Sequence, residues 1–350
     1  MSARVTIALD GMGGDQAPGV VVAGAAEALV RSPHARFLLF GDRAKLEPLL
    51  AQRPALRPAC EIRHTTEAVV DTDKPSSVLR KGRQTSMRLA IDAVRDGEAA
   101  GVVSGGNTGA LMGMAKFVLR MLPGIDRPAL TSFFPTQVGE CVMLDLGANV
   151  EYDANNLVQF AVMGAHFAHT VLGRMRPTVG LLNVGSEELK GPETVRAAAE
   201  MLRGATGTEF EFYGFVEGDD ITKGTVDVIV TDGFSGNLAL KAAEGTARLY
   251  SRYLTAAFKQ SWMSRLGYLL ARPALQALRD RVDPRHYNGG VFLGLNGIAV
   301  KSHGSADATG FANAIGLTID MAADRLTEKI VANFQQFRAA APAEAKAVIT

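Results

Sequence analysis

Short apolar runs alternate with longer amphipathic stretches along most of the chain. The runs, rich in β-branched residues, occupy residues 5–9, 37–40, 102–103, 142–146, 179–184 and 226–231. Apolar positions at helical spacing mark the stretches at 19–31, 85–95, 108–119, 157–172 and 193–203. Strands that alternate with helices predict a mostly parallel sheet covered on both faces, and continuous apolar strands fit burial on both sides. The pattern therefore predicts an α/β fold.

Residues 248–286 break this rhythm, because they have a helical pattern and no strand. They hold eight Arg or Lys residues and two Asp residues, which leaves −5 for the rest of a chain whose net charge is +1. Pro273 predicts two helices joined near that point. An apolar stripe at helical spacing runs along the segment, formed by Tyr250, Leu254, Phe258, Trp262, Leu266 and Leu269.

Composition narrows the class of protein. A net charge of +1 over 350 residues argues against a nucleic-acid binder. Cys60 and Cys141 lie in apolar runs and are expected to be buried free thiols, and no Cys or His cluster has the spacing of a metal site. We expect one domain over residues 1–340 and a disordered Ala-rich tail at 341–350.

Hydropathy bears on location. The first residues lack the zones of a signal peptide, and no run of roughly 18 apolar residues occurs. We therefore expect a cytoplasmic protein, or one attached to a membrane face from the cytosol.

The first candidate loop follows the first apolar run. In an open parallel sheet, ligands bind beyond the carboxyl ends of the strands. Residues 10–18 place Asp10, Gly13, Gly14 and Asp15 there, in a loop that exposes backbone amides. The alternatives are a tight turn or a dinucleotide-binding loop, but the latter needs a glycine where Gln16 stands.

A second loop, residues 104–110, opens a predicted helix with Gly106, Asn107 and Thr108. Amides at a helix N-terminus bind anions, and the helix dipole favours negative charge. The lysine of a nucleotide-binding P-loop is missing. The alternative is that Asn107 or Thr108 only caps the helix.

The remaining strand ends also carry polar residues, although each is a weak signal alone. They are Asp145, Asn149, Asn183, Gly185, Lys190, Asp232, Ser235, Gly236, Asn237, Lys241 and His303. An Asp-Gly pair is usually a turn, and a single His is more often structural than catalytic. Taken together, they predict a site for phosphate and a polar linker. A Gly-x-Ser-x-Gly motif is absent and no Cys lies in such a loop, which favours direct transfer without a covalent intermediate.

At this point the motifs resemble those of the phosphate acyltransferases of bacterial phospholipid synthesis, often called the PlsX family. The matching segments span nearly the whole chain in order, at 10–18, 104–110, 124–129, 145–149, 181–191, 231–241, 287–290 and 303–305. One departure is Gly105, where that family usually has Ala, a small change that we expect to be tolerated. The resemblance implies a Rossmann-like α/β/α sandwich with an inserted helical hairpin at about 248–286.

The resemblance also implies an activity. An acyl group would pass from acyl carrier protein to inorganic phosphate, giving acyl phosphate and free carrier protein, with no metal or nucleotide cofactor. The product would feed a membrane acyltransferase that acylates glycerol 3-phosphate. The family is homodimeric and associates peripherally with the membrane.

Residue roles follow as expectations from the resemblance. Asn107, Thr108 and nearby amides would hold phosphate. Lys190 would neutralise phosphate or the carbonyl oxyanion, Asn237 would donate to the same oxygen, and His303 would protonate the departing thiolate or fix phosphate. The acids Asp10, Asp145 and Asp232 would orient loops and ligands, with purely structural roles as the alternative.

The basic hairpin has three readings. In the first hypothesis, the apolar stripe is buried in a dimer. In the second, the hairpin contacts an anionic membrane surface, and in the third it docks the acidic carrier protein; the second and third are compatible. The residues expected to make that contact are Trp262, Arg265, Leu266 and Leu269. Three rival functions remain: a phosphotransacetylase using acyl-coenzyme A, an NAD-linked decarboxylating dehydrogenase, and a non-catalytic lipid-responsive scaffold.

Overall fold

The protein is described by a computed structural model that covers residues 5–70, 73, 75–205, 209–281 and 289–340. Eleven strands in this part of the chain form one sheet. They are β1 (Thr6–Asp10), β2 (Arg36–Gly41), β3 (Cys60–His64), β4 (Gly101–Ser104), β5 (Ala129–Thr136), β6 (Gly139–Leu144), β7 (Thr178–Leu182), β8 (Glu211–Val216), β9 (Val228–Val230), β10 (Gly290–Leu293) and β11 (Ile298–Lys301).

Twelve helices of the described residues surround the sheet. They are α1 (Gly19–Arg31), α2 (Arg43–Ala51), α3 (Pro75–Lys81), α4 (Ser86–Arg95), α5 (Thr108–Leu119), α6 (Ala154–Leu172), α7 (Glu193–Gly204), α8 (Asp220–Lys223), α9 (Gly233–Lys259), α10 (Trp262–Arg281), α11 (Ala308–Ala323) and α12 (Leu326–Ala340). The expected tail at 341–350 and the start of the 287–290 motif lie outside the described residues.

The order of strands across the sheet is β3-β2-β1-β4-β11-β10-β5-β6-β9-β7-β8. The first five strands in this order are mutually parallel, and so are the last four. Three antiparallel pairings separate the two sets, at β11–β10, β10–β5 and β5–β6. The two parallel sets therefore run in opposite senses along the sheet, and their carboxyl ends leave it at opposite edges.

The expected fold class is confirmed. The sheet is mostly parallel, and strands such as β4 and β9 are buried along their whole length, as burial on both faces requires. Helices cover both faces: α1, α6 and α11 pack in one apolar cluster, and α4 and α5 pack in another. The α9–α10 pair supplies the inserted helical hairpin.

The joint of that hairpin is not where Pro273 predicts it. The chain turns at residues 260–261, and Pro273 lies inside α10. The hydroxyl of Ser261 accepts a hydrogen bond from the Ser264 amide (3.1 Å), which caps the start of α10. This cap ends one helix and begins the next, and the proline is accommodated in an exposed helix that few neighbours constrain.

The two cysteines are buried and free, as expected. Burial raises the pKa of both Cys60 and Cys141 to about 12, so neither thiol is a nucleophile at neutral pH. Within the described residues, no helix is both long and apolar enough to span a membrane.

Candidate active site

A buried carboxylate organises the loops that follow β1 and β4. Asp10 accepts hydrogen bonds from the hydroxyls of Ser86 (2.6 Å) and Ser104 (2.7 Å), and from the Met12 amide (3.3 Å). The Ser104 hydroxyl in turn accepts from the Gly106 amide (3.0 Å). Burial raises the pKa of Asp10, and the hydrogen bonds oppose that rise. Asp10 therefore binds loops together and is not exposed to a ligand.

Glycines let these loops touch through their backbones. A Cβ at Gly13 would lie 2.3 Å from a carboxylate oxygen of Asp10, and one at Gly105 would lie 2.8 Å from the Gly13 carbonyl oxygen. An alanine at position 105 would thus require the 10–15 loop to move. Gly14 and Asp15 follow in the same loop, where the Asp15 amide donates to the Gly304 carbonyl (2.9 Å).

The start of α5 carries the expected anion-binding groups. Asn107 caps this helix, because its side-chain oxygen accepts from the Ala110 amide (3.0 Å). Thr108 is the first helical residue, and amides in a first helical turn lack acceptors within the helix. The Lys301 ammonium donates to the Gly105 carbonyl (3.2 Å), which brings a positive charge to the same loop. The cap is present, and the nearby charge and the amides of the first helical turn make the loop suitable for an anion.

His303 lies on the neighbouring loop after β11. Its Nδ1 accepts from the Ser305 amide (3.3 Å), and the Ser305 hydroxyl lies 3.0 Å from the same atom. A backbone amide can only donate, so the neutral ring carries its proton on Nε2. The ring is exposed and could deliver that proton to a ligand. We call the loops 10–15, 104–108 and 301–305 the first cluster.

Asp145 organises the other half of the sheet. One oxygen accepts from the amides of Leu130 (2.9 Å), Gly147 (3.2 Å) and Ala148 (2.9 Å). The other accepts from the amide (2.6 Å) and the side-chain nitrogen (2.8 Å) of Asn149. Burial raises the pKa of Asp145, and these hydrogen bonds oppose the rise. With its acceptor sites filled, Asp145 shapes the 145–149 loop.

The start of α9 packs on that loop. Asp232 caps the helix by accepting from the amides of Phe234 (3.0 Å) and Ser235 (2.9 Å). A Cβ at Gly236 would lie 1.9 Å from the Asp145 carbonyl oxygen, so only glycine fits this contact. Asn237 follows directly, and a Cβ added at Gly147 would lie 3.6 Å from the Cβ of Asn237. Lys241 is exposed and pairs with Glu244 (3.1 Å).

Lys190 lies on the loop after β7, the strand beside β9. Its ammonium is exposed and 2.7 Å from Glu187, and this hydrogen bond raises the pKa of Lys190. The Asn183 side chain donates to the Lys190 carbonyl (3.0 Å), while its buried oxygen has no hydrogen-bond partner among the described residues. Gly185 packs against the Lys190 side chain. We call the loops 145–149, 183–191 and 232–237 the second cluster.

The structure thus divides the sequence-predicted residues into two groups. The first cluster lies at the carboxyl ends of β1, β4 and β11, and the second at those of β6, β7 and β9. The contacts above join all three loops of the first cluster and, in the second, the 145–149 loop to the 232–237 loop; the 183–191 loop lies in the second cluster because β7 pairs with β9. The antiparallel pairings in mid-sheet are the cause of the division, and the apolar pattern did not reveal them.

Comparison with known proteins identifies the family. The profile of a family described as "Fatty acid synthesis protein" matches residues 5–329. The phosphate acyltransferase of Rhodospirillum centenum is 61% identical over 345 residues, which are 99% of this chain and 97% of that protein. The phosphate acyltransferase of Paramagnetospirillum magneticum is 57% identical over 340 residues, 97% of each chain. The chain belongs to the phosphate acyltransferase family.

Solved structures support the fold of this phosphate acyltransferase-family chain. A phosphotransacetylase from Streptococcus pyogenes is 18% identical with a TM-score of 0.62, over 92% of this chain and 94% of the other. The EutD phosphotransacetylase from Staphylococcus aureus is 17% identical with a TM-score of 0.60, over 92% and 95%. At this identity the likeness shows a shared fold.

The α9–α10 hairpin presents apolar side chains to solvent in this member of the phosphate acyltransferase family. Trp262 is 74% exposed, Leu266 51% and Leu269 61%, and the Arg265 beside them is also exposed. Phe258 instead turns inward and packs edge-on against Tyr268, with ring centroids 5.3 Å apart, which joins α9 to α10. The predicted stripe therefore divides into an inner contact and an outer exposed patch.

Two residues received no role from the sequence: Lys301, which belongs to the first cluster, and Ser86, which contacts it through Asp10. Ser86 starts a helix and follows no strand, so a search of strand ends passes over it. Lys301 ends an apolar run, and a cation at the carboxyl end of a strand was the signal that could have found it.

Proposed function

We propose that this protein transfers an acyl group from acyl carrier protein to inorganic phosphate, releasing acyl phosphate and free carrier protein. Its membership of the phosphate acyltransferase family, over nearly the whole chain, carries this proposal. A phosphate oxygen attacks the thioester carbonyl carbon, the carbon–sulfur bond breaks, and the sulfur leaves as the carrier's thiolate. The product belongs to phospholipid synthesis, where a membrane glycerol-3-phosphate acyltransferase would consume it.

Phosphate binds at the first cluster in this proposal. Asn107, Thr108 and the amides at the start of α5 face it, with the Lys301 charge adjacent. Phosphate is largely dianionic at neutral pH and attacks without a strong base. When the protein binds phosphate beside the thioester, the reaction between them becomes effectively unimolecular, and this proximity accelerates it.

The thioester lies against the second cluster. Lys190 and Asn237 donate to the carbonyl oxygen as it becomes negative, which stabilises the transition state more than the ground state. The raised pKa of Lys190 keeps it cationic for this role. His303, with its N–H on Nε2, donates a hydrogen bond to the sulfur as it becomes negative, and the released thiolate takes its proton from water.

Sheet twist supports a shared cleft between the clusters. Six pairings separate β1 from β9, and at a mean twist of about 20–25° each they accumulate about 120–150°. The two strands are opposed by 180° in sense, so the twist leaves about 30–60° between their directions. With this mean twist, the carboxyl ends at opposite edges would be turned toward a common side, and in this proposal the two clusters share a cleft there.

The assay uses purified protein, palmitoyl-acyl carrier protein and phosphate, with hydroxylamine to trap acyl phosphate as the hydroxamate. We expect a phosphate-dependent hydroxamate, with free carrier protein appearing in step. Turnover only with acetyl- or palmitoyl-coenzyme A would replace this proposal with a phosphotransacetylase. No product from any thioester would favour the scaffold or dehydrogenase alternatives.

The exposed patch of the hairpin contacts an anionic membrane in this proposal, and the protein is a peripheral homodimer. An apolar face with Trp262 and flanking cations is suited to the membrane interface. The double change Trp262→Asp and Leu266→Asp should abolish pelleting with anionic vesicles. Val30→Asp with Met175→Asp, both sites 81% exposed elsewhere, is the matched control. Unchanged pelleting with loss of the dimer would assign the patch to the dimer interface.

A further inference from the structure

Ser86 is a buried serine outside the loops assigned above. It begins α4 directly after the capping residue Thr85, and it is 1% exposed. Its amide donates to the Glu67 carbonyl (2.9 Å), and its hydroxyl donates to Asp10 (2.6 Å). The hydrogen bond to Asp10 joins the start of α4 to the carboxyl end of β1.

The hydrogen bonds continue from Asp10 to the 104–108 loop, where phosphate is proposed to bind. Each carboxylate oxygen of Asp10 accepts from one serine hydroxyl, Ser86 on one side and Ser104 on the other. Because the Ser104 hydrogen points at Asp10, its oxygen is left to accept from the Gly106 amide (3.0 Å). Ser86 is thus linked to the Gly106 amide of the 104–108 loop through Asp10 and Ser104.

The peptide unit between Gly105 and Gly106 is fixed on both sides. Lys301 donates to its carbonyl oxygen (3.2 Å), and its N–H donates to Ser104. Two consecutive glycines have wide conformational freedom, so a loop without these bonds would spread over many orientations. The orientation of this unit sets where the chain enters α5 at Asn107.

We propose that Ser86 is a positioning residue for phosphate: through Asp10 and Ser104 it fixes the Gly105–Gly106 peptide and so aims the start of α5 at the anion. This inference rests on the proposed phosphate site. Ser86 does not touch phosphate, so its loss should weaken phosphate binding and leave the chemical step largely intact. A structural role alone would lower stability and affect both substrates together.

The test compares Ser86→Ala with Ser86→Thr, which keeps the hydroxyl, and with Ser86→Cys, which is nearly isosteric but a weak donor. Thr318→Val is the matched control, since it removes a buried hydroxyl that donates to the Ala314 carbonyl (2.8 Å) within α11. Kinetics at varied phosphate should show KM for phosphate raised at least fivefold in Ser86→Ala, with kcat within twofold. KM for the acyl donor should not change.

Ser86→Cys should give an intermediate KM, and Ser86→Thr and Thr318→Val should match the parent. If Ser86→Ala does not fold, the Cys variant decides by the same measurement. An unchanged phosphate KM in the folded variants, or equal losses for both substrates, would overturn the inference.

A binding measurement separates this inference from the activity. Inorganic phosphate that binds only the folded protein raises its melting temperature. The parent should show this rise and Ser86→Ala should show a smaller one, even if no acyl phosphate forms. Absence of turnover with a normal parent shift would refute the proposed reaction alone. Equal shifts in parent and variant would refute the role of Ser86.

Discussion

Replacing Asp145 by asparagine tests how the second cluster is held together. The carboxylate accepts three amides on one oxygen and two donors of Asn149 on the other. An asparagine keeps one oxygen and puts an NH2 group in the other place. Of the two orientations of the new amide, the more favourable one keeps the oxygen on the three backbone amides. The NH2 group then faces the two donors of Asn149, and both of those hydrogen bonds are lost.

The magnitude follows from these contacts. Each lost hydrogen bond to a charged group costs about 1.5–3 kcal/mol, so two cost about 3–6 kcal/mol. A neutral amide is less costly to bury than a carboxylate, and the raised pKa of Asp145 shows that burial disfavours its charge. This relief offsets part of the loss, and we expect Asp145→Asn to destabilise the protein by about 2–4 kcal/mol.

Asp232→Asn is the matched control. Asp232 also accepts backbone amides, but it does so as a helix cap with one oxygen, and asparagine caps helices about as well as aspartate. We expect a change below about 0.5 kcal/mol there.

Urea unfolding followed by far-UV circular dichroism measures both variants. Trp262 is 74% exposed on the hairpin and would report poorly on the core. A loss under about 1 kcal/mol for Asp145→Asn, or equal losses in both variants, would refute the reasoning about saturated acceptors.

Three further predictions follow. Burial lowers the pKa of His166 from 6.5 to about 4, so the unfolded chain takes up the proton first and stability should fall by about 3 kcal/mol as pH drops from 7 to 4. Urea unfolding midpoints measured at pH 7 and pH 5 should show a smaller loss of stability on acidification for His166→Gln than for the parent. An equal loss in the two proteins would contradict the assignment to His166. Gly13→Ala places a methyl group 2.3 Å from a buried carboxylate oxygen and should raise the phosphate KM at least tenfold, whereas Gly19→Ala, with no atom within 4 Å of its added carbon, should not. Lys190→Ala and Asn237→Ala should each lower kcat by about 10²–10³-fold, the scale of one lost oxyanion donor, and unchanged phosphate saturation kinetics in both would remove them from the site.

Local signals in the sequence predicted six strands, β1, β2, β4, β6, β7 and β9, and several of the helices between them, but not β3, β5 or β8. The bounds expected for α1 and α5 agree with the structure, where α1 begins directly after Pro18 and Asn107 caps α5. Strands β10 and β11 escaped prediction, since they are four residues long and follow a long helical insertion. They pair with each other as a hairpin, but β10 also pairs with β5, which is distant in sequence, and periodicity does not record that contact.

The candidate site was predictable as a set of residue types, but its arrangement was not. Asp, Asn and Lys residues at strand ends were found because parallel strands share one edge. Their division into two clusters depends on three antiparallel pairings, of which two are hairpins of consecutive strands and one, β10–β5, joins strands distant in sequence that no local motif brings together. Ser86 escaped because its role comes from a contact with Asp10, 76 positions away in the chain.

Six strand pairings, three of them antiparallel, lie between β1 in the first cluster and β9 in the second. Among sheets in general, the twist between hydrogen-bonded neighbouring strands ranges over about 10–35°, so small changes of twist are compatible with the pairing. A change of about 5° at each of the six pairings from β1 to β9 would turn one cluster about 30° relative to the other. Opening for a bulky acylated carrier and closing around the reacting atoms can therefore be spread over many small torsions of the sheet, with no loop required to unfold.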